Sequence, residues 1–144
     1  MLPLARGGVS LSLTGVQFGA NPIQVKGGSG NDGVNFTDAL GAKATIDLGA
    51  GNDSLTVTQG ATALTLTAGS TFNGVDGTDT LVLNTTTTAI SATRGKMFTG
   101  FENIKLADAT SSYQAGHIAG ITGYEIATTT SGTLTNLVEY VVFR

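Results

Sequence analysis

Cysteine is absent from this chain of 144 residues, and histidine occurs once. Without cysteine there are neither disulfides nor a thiolate metal site. The lone histidine lies in Ala115-Gly116-His117-Ile118 with no supporting order for Ser-His-Asp chemistry, and reads as a turn or surface residue. Charged residues make up only 12% of the chain against 40% apolar, too apolar a balance for a disordered tail. Lys and Arg are scattered and form no basic stripe, which argues against nucleic acid as a partner. No apolar run reaches the roughly 18 residues of a membrane span, so the chain is not expected to be transmembrane. No stretch places apolar residues at helical spacing over three turns, which removes long helices. Met1 to Gly8 lacks the apolar core of a signal peptide. Either the protein leaves the cell by a route needing no N-terminal signal, or the chain is a piece of a larger one.

Glycine, by contrast, occurs 21 times without a G-X-Y period, and threonine, which favours strands, is abundant. Six Asp (Asp32, Asp38, Asp47, Asp53, Asp76 and Asp79) fall in the first part of the chain, whereas Glu102, Glu125 and Glu139 all come later. The clearest repeat is Gly27-Gly28-Ser29-Gly30-Asn31-Asp32-Gly33-Val34-Asn35, which returns as Leu48-Gly49-Ala50-Gly51-Asn52-Asp53-Ser54-Leu55-Thr56. A looser copy is Asn73-Gly74-Val75-Asp76-Gly77-Thr78-Asp79-Thr80-Leu81. Each is a Gly-rich turn, an Asp and then an alternating strand: Val34/Phe36, Leu55/Val57, Leu81/Leu83.

The Asp-to-Asp steps are 21 and 26 residues, one coil of two short strands and two turns. In the first coil the second strand is expected at Thr45–Leu48, beyond a turn near Asp38–Ala42. In the next, Leu55–Thr58 and a turn near Gln59–Ala61 lead to a strand at Leu64–Thr67. Phe98-Thr99-Gly100-Phe101-Glu102 is echoed 23 residues on by Ile121-Thr122-Gly123-Tyr124-Glu125, and more loosely by Leu134 to Glu139, so every Glu falls in one slot. These three Glu are read as structural rungs bonding turn amides. The pattern predicts an all-β fold, a right-handed parallel β-roll or β-solenoid with coils of about 20 to 26 residues, in a single domain. Residues 1–22 form an entry coil with a first strand around Val9, Leu11 and Leu13; 23–83 the Gly/Asp-rich coils; 84–144 the Glu-punctuated coils, ending in an apolar strand at Val138–Phe143.

A coil of this kind reverses direction within a few residues. Gly27, Gly28, Gly30, Gly49, Gly51, Gly74 and Gly77 permit positive φ there and leave carbonyls unshielded. Equivalent turns stack about 4.8 Å apart. Asp32, Asp53 and Asp79 then form a column in which neighbouring carboxylates repel by roughly 3.5 kcal/mol at an effective dielectric of about 20. No Lys or Arg recurs in register to cancel that charge. A divalent cation between turns would, and an all-oxygen donor set without His or Cys selects Ca²⁺. The candidate ligands are Asp32, Asp53 and Asp79, with Asp47 and Asp76 as additional carboxylates, and Asn31 and Asn52. Asp38 reads as a solvated turn residue.

These residues resemble the RTX family of calcium-binding nonapeptide repeats, G-G-x-G-x-D-x-U-x. Gly27 to Asn35 fits fully; Leu48 to Thr56 lacks the first Gly; Asn73 to Leu81 has Asn in place of the first Gly, a misplaced Asp and Gly, and then a good Thr-Asp-Thr-Leu ending. The irregular spacing is closest in style to bacterial surface-layer and type I-secreted proteins. The resemblance implies secretion through a type I channel, folding outside the cell on meeting calcium, and calcium held between successive same-side turns, with Asp32 and Asp53 in the family's Asp position and Gly28, Gly30, Gly49 and Gly51 in its carbonyl-donating Gly positions.

Other motifs carry less. Gly28-Ser29-Gly30-Asn31-Asp32-Gly33 matches G-x-G-x-x-G, but Val34 to Thr37 alternates as a strand where that motif needs a helix. The acids follow the repeat and form no separate catalytic cluster, so no enzyme activity is expected. The leading expectation is a structural, self-assembling component of a surface layer or extracellular filament, polymerising through the solenoid ends. The alternative is a polysaccharide-binding module of a larger secreted protein, which predicts an exposed aromatic row among Tyr113, Tyr124 and Tyr140.

Overall fold

The computed structural model describes residues 2–3, 7–13, 20–37, 42–59, 66–85, 90–107, 112–127 and 133–137. The strands are β1 (Leu2–Pro3), β2 (Ser10–Leu13), β3 (Ile23–Lys26), β4 (Gly33–Phe36), β5 (Ala44–Asp47), β6 (Ser54–Gln59), β7 (Thr71–Asn73), β8 (Thr80–Thr85), β9 (Phe98–Thr99), β10 (Asn103–Leu106), β11 (Ser112–Gln114), β12 (Gly123–Ile126) and β13 (Thr133–Thr135). One helical turn, α1 (Ala92–Gly95), follows Ser91, whose hydroxyl accepts from the Arg94 N–H.

All pairings are parallel, and alternate strands go to opposite sheets. One sheet runs β1-β3-β5-β7-β9; the other runs β12-β10-β8-β6-β4-β2; β11 and β13 form a separate pair. The chain is therefore a parallel β-solenoid of stacked coils.

Strand alternation builds the core. In the six-stranded sheet Leu11, Val34, Leu55, Leu81, Ile104 and Tyr124 stand in one register column, and Leu13, Phe36, Val57, Leu83, Leu106 and Ile126 in the next. Both columns face inward, and their central members are fully buried. The other sheet contributes Ile23, Val25, Ala44, Ile46, Phe72 and Phe98. Phe72 stacks on Phe98 at 4.9 Å between centroids and meets Phe36 edge-on at 5.6 Å. Burying such a side chain is worth about 1.5–3 kcal/mol, so the interior columns hold the coils together.

Three expectations change. The strand of the longer coil is Thr71–Asn73; Leu66 and Thr67 lie outside any strand, and Leu64 and Thr65 fall outside the described residues. Phe72 is wholly buried in the core, whereas Leu66 is half-buried against it. Positive φ occurs at Gly49, Gly51 and Gly77 among the candidate turn glycines, and not at Gly27, Gly28, Gly30 or Gly74. The third change concerns Glu125 and is taken up below. Asp38, Glu139 and the segment 138–143 lie outside the described residues.

Candidate functional site

Immediately before each strand of the six-stranded sheet lies one slot, occupied in turn by Val9, Asp32, Asp53, Asp79, Glu102 and Thr122. Asp32, Asp53 and Asp79 are 2%, 2% and 0% exposed. The backbone N–H at this slot is turned away from solvent and needs an acceptor. The acid one coil further on provides it. Val9 N–H donates to Asp32 Oδ1 (2.9 Å), Asp32 N–H to Asp53 Oδ1 (2.7 Å), and Asp53 N–H to Asp79 Oδ1 (2.8 Å). Asp79 N–H donates to Glu102 Oε2 (2.8 Å), so the column continues through a Glu. These are charge-assisted bonds, among the stronger kind.

A second ladder runs the other way. Asn52 N–H donates to Asn31 Oδ1 (2.8 Å), and Thr78 N–H donates to Asn52 Oδ1 (3.0 Å). Thus an asparagine reaches forward to the next coil while an aspartate reaches back. The Gly28 and Gly49 carbonyls accept from Ala50 and Asp76 N–H groups of the following coil.

The third turn fits the repeat better than its sequence suggests. Asp53 and Asp79 share a slot, and Ser54 pairs with Thr80. The copy in register is therefore Gly74 to Val82, one residue later than the alignment from Asn73. Gly77 (φ 140°) then falls where Gly51 (φ 138°) stands, so neither it nor Asp79 is misplaced. The real departure is Val75: it occupies the Gly49 position (φ 94°) at φ 81°, an unfavourable conformation for a β-branched residue.

The slots differ in how fully the carboxylates are satisfied. The second oxygen of Asp32 accepts from Gly28 N–H (3.0 Å). Asp53 Oδ2 and Asp79 Oδ2 are buried and have no hydrogen-bond partner. Burial pushes the Asp53 carboxyl up from its ordinary pKa, opposed by the Asp32 N–H and reinforced by the Asp32 charge. Asp79 is pushed up to about 6, mainly by burial, with the charges of Asp53, Glu102 and Asp76 adding to it against the Asp53 N–H.

The other candidate ligands are spread. Asp76 is exposed on the third turn, and Asp47 stands on the outer face of β5 in register with Lys26 and Asn73. Among the described residues no three acidic or histidine side chains converge as a preformed metal centre. The column thus differs from a bare stack of carboxylates, because backbone amides already satisfy one oxygen of each acid. Acid side chains can be counted from sequence, but their amide partners, one coil away, cannot.

The Glu residues do not share one slot. Glu102 holds the turn position as a rung, whereas Glu125 lies within β12 opposite Lys105, to which it is ion-paired at 2.9 Å. The coil step there is 20 residues, as the Thr122 hydroxyl to Glu102 carbonyl contact shows, and not 23. Matching Phe-Glu to Tyr-Glu misses this, because Tyr124 instead continues the interior column of Ile104. Tyr113 is buried, and its ring lies 6.2 Å from that of Tyr124, so neither forms an exposed aromatic row; Tyr140 lies outside the described residues. His117 is half-buried in a turn, its Nδ1 against the Ile90 carbonyl. A groove of about 420 Å³ lies over β8, β10 and β12, lined by Thr78, Thr80, Asn103, Lys105, Thr122 and Glu125 among others. No helix among the described residues is long and apolar enough to cross a membrane. No protein-family model, curated protein or solved structure matches the chain.

Proposed function

We propose that this chain is a structural module of a bacterial surface layer or extracellular filament, and that its acid column takes up calcium to hold the coils in register. The observation that carries the reading is the pair of buried, unpartnered oxygens, Asp53 Oδ2 and Asp79 Oδ2. An unmet buried acceptor is costly, more so when charged. A hard cation bound between turns would satisfy these oxygens and offset the repulsion between stacked acids. Asp53 and Asp79 would hold it through these oxygens, and the Gly100 carbonyl, which meets Asp79 Oδ2 beside Gly74, would add a neutral donor. Asp32 contributes less, since both of its oxygens already accept amides.

The same acids are committed to the ladder, which favours a structural over an enzymatic role. β2 and β12 are the outermost strands of the long sheet among the described residues, and stacking of further copies on such edges is the route to a polymer. Export through a type I channel, with folding on meeting extracellular calcium, is the matching delivery route. The polar groove over β8, β10 and β12 favours a second reading, a calcium-dependent module that binds a cell-surface polysaccharide.

Circular dichroism during calcium titration, followed by electron microscopy, tests the proposal. The expected result is a chain that loses β-structure in chelator, regains it with calcium and then forms ordered assemblies. Folding indifferent to chelator would reject the metal. A calcium-replete chain that stays monomeric at high concentration would reject the assembly, and a glycan array without binding would remove the second reading.

A further inference from the structure

Satisfaction of the acids falls along the column from the first Asp turn to the third. The best match to the nonapeptide, at Asp32, has both carboxylate oxygens hydrogen-bonded to amides. Asp53 has one oxygen left over. Asp79, in the copy where Val75 replaces the second Gly, also has one, and its side chain is wholly buried.

The surroundings of that oxygen point the same way. A Cβ on Gly74 would overlap both Asp79 Oδ2 and the carbonyl oxygen of Gly100, so two oxygens from adjacent coils converge on one side of this glycine. Glu102, half-buried, uses one carboxylate oxygen for the Asp79 N–H. Its other oxygen remains for a further partner. Two carboxylates and a carbonyl, without nitrogen or sulfur, form the beginning of a site for a hard divalent cation that keeps water in its remaining positions.

We propose that the tightest calcium site lies at the step between the third Asp turn and the next coil, on Asp79, Glu102 and the Gly100 carbonyl, and not at the turn that best matches the repeat motif. This rests on the calcium reading above and adds Glu102, which stands outside all three nonapeptides. Gly74 is required there because any side chain would enter the space where the two oxygens meet.

The test compares Asp79→Asn, Glu102→Gln and Asp32→Asn by calorimetric calcium titration, with equilibrium dialysis for stoichiometry and far-ultraviolet circular dichroism at saturating calcium. Each amide keeps an oxygen for its ladder N–H while removing one charge; in Asp32→Asn the amide nitrogen also opposes the Gly28 N–H, and circular dichroism at saturating calcium checks that the coils still form. Losing a charged ligand from the site should weaken the tightest calcium binding by about tenfold or more in Asp79→Asn and Glu102→Gln. Asp32→Asn should stay within about threefold of the parent, since its carboxylate is already satisfied by amides. A Glu102→Gln chain that binds like the parent, or an Asp32→Asn chain that loses the tightest ion, would overturn the assignment while leaving calcium binding itself intact. A parent chain that takes up no calcium would overturn the calcium reading as well, so the two failures are distinguishable.

Discussion

At the scale of single residues, the third turn shows a side chain working against its position. Val75 takes up positive φ where the equivalent residue of the previous coil is Gly49, and at 43% exposure it returns little burial for that strain. Left-handed backbone costs an L-residue roughly 1–2 kcal/mol, and glycine gives part of that back through its freer unfolded state. Val75→Gly should therefore stabilise the protein by about 1 kcal/mol, read as a higher urea midpoint with an unchanged slope. A lower midpoint would mean that the valine contributes contacts outweighing its backbone strain. The sequence contained this information, since aligning Asp79 with Asp53 puts Val75 opposite Gly49. The alignment from Asn73 hid it by placing the Asp one position late.

Among the elements, strands announced by strict alternation were legible: β4, β6 and β8 lie where Val34/Phe36, Leu55/Val57 and Leu81/Leu83 place them. β7 was not. It has three residues, with a single buried side chain, Phe72, and the more regular Leu64 to Thr67 looked the better strand. Pairing decides the matter: Ile46 lies opposite Phe72, and Phe72 opposite Phe98, so the aromatic fits the interior column. Phe72→Ala should cost about 3–5 kcal/mol, as for other buried aromatics, whereas Leu66→Ala should cost clearly less. Equal losses in denaturant melts would show that Leu66 contributes as much as the strand. The Glu pattern failed for a similar reason. Glu102 and Glu125 follow aromatic residues, yet Phe101 packs at a turn while Tyr124 sits within a strand.

Taken as a whole, the molecule is a one-dimensional stack in which each coil rests on its neighbours. The solenoid class was readable because a period in the low twenties persists along the sequence. The amide ladder was not, since each of its bonds joins residues 21 to 26 apart. The buried acids also couple the stack to pH. Asp79 has its folded pKa raised to about 6 and Asp53 is raised in the same direction, so between the ordinary carboxylate range and about pH 6 the folded chain holds more protons than the unfolded one. In chelator, stability should therefore increase as pH falls from about 6 towards 4, and this gain should shrink in Asp79→Asn. Thermal melts across that range measure it. A melting temperature that falls steadily on acidification would show that Asp79 is not the dominant group.

The opposed aspartate and asparagine rungs have a practical consequence. Each coil is recognised by what stands in two slots and not by how much chain lies between them: a 21-residue step and a 26-residue step fit the same stack. A protein engineer could thus graft a peptide into the span between slots, or splice in a spare coil, provided that the acid and the amide land in their places. Evolution has the same freedom, and unequal spacing along the chain is what its use would leave behind.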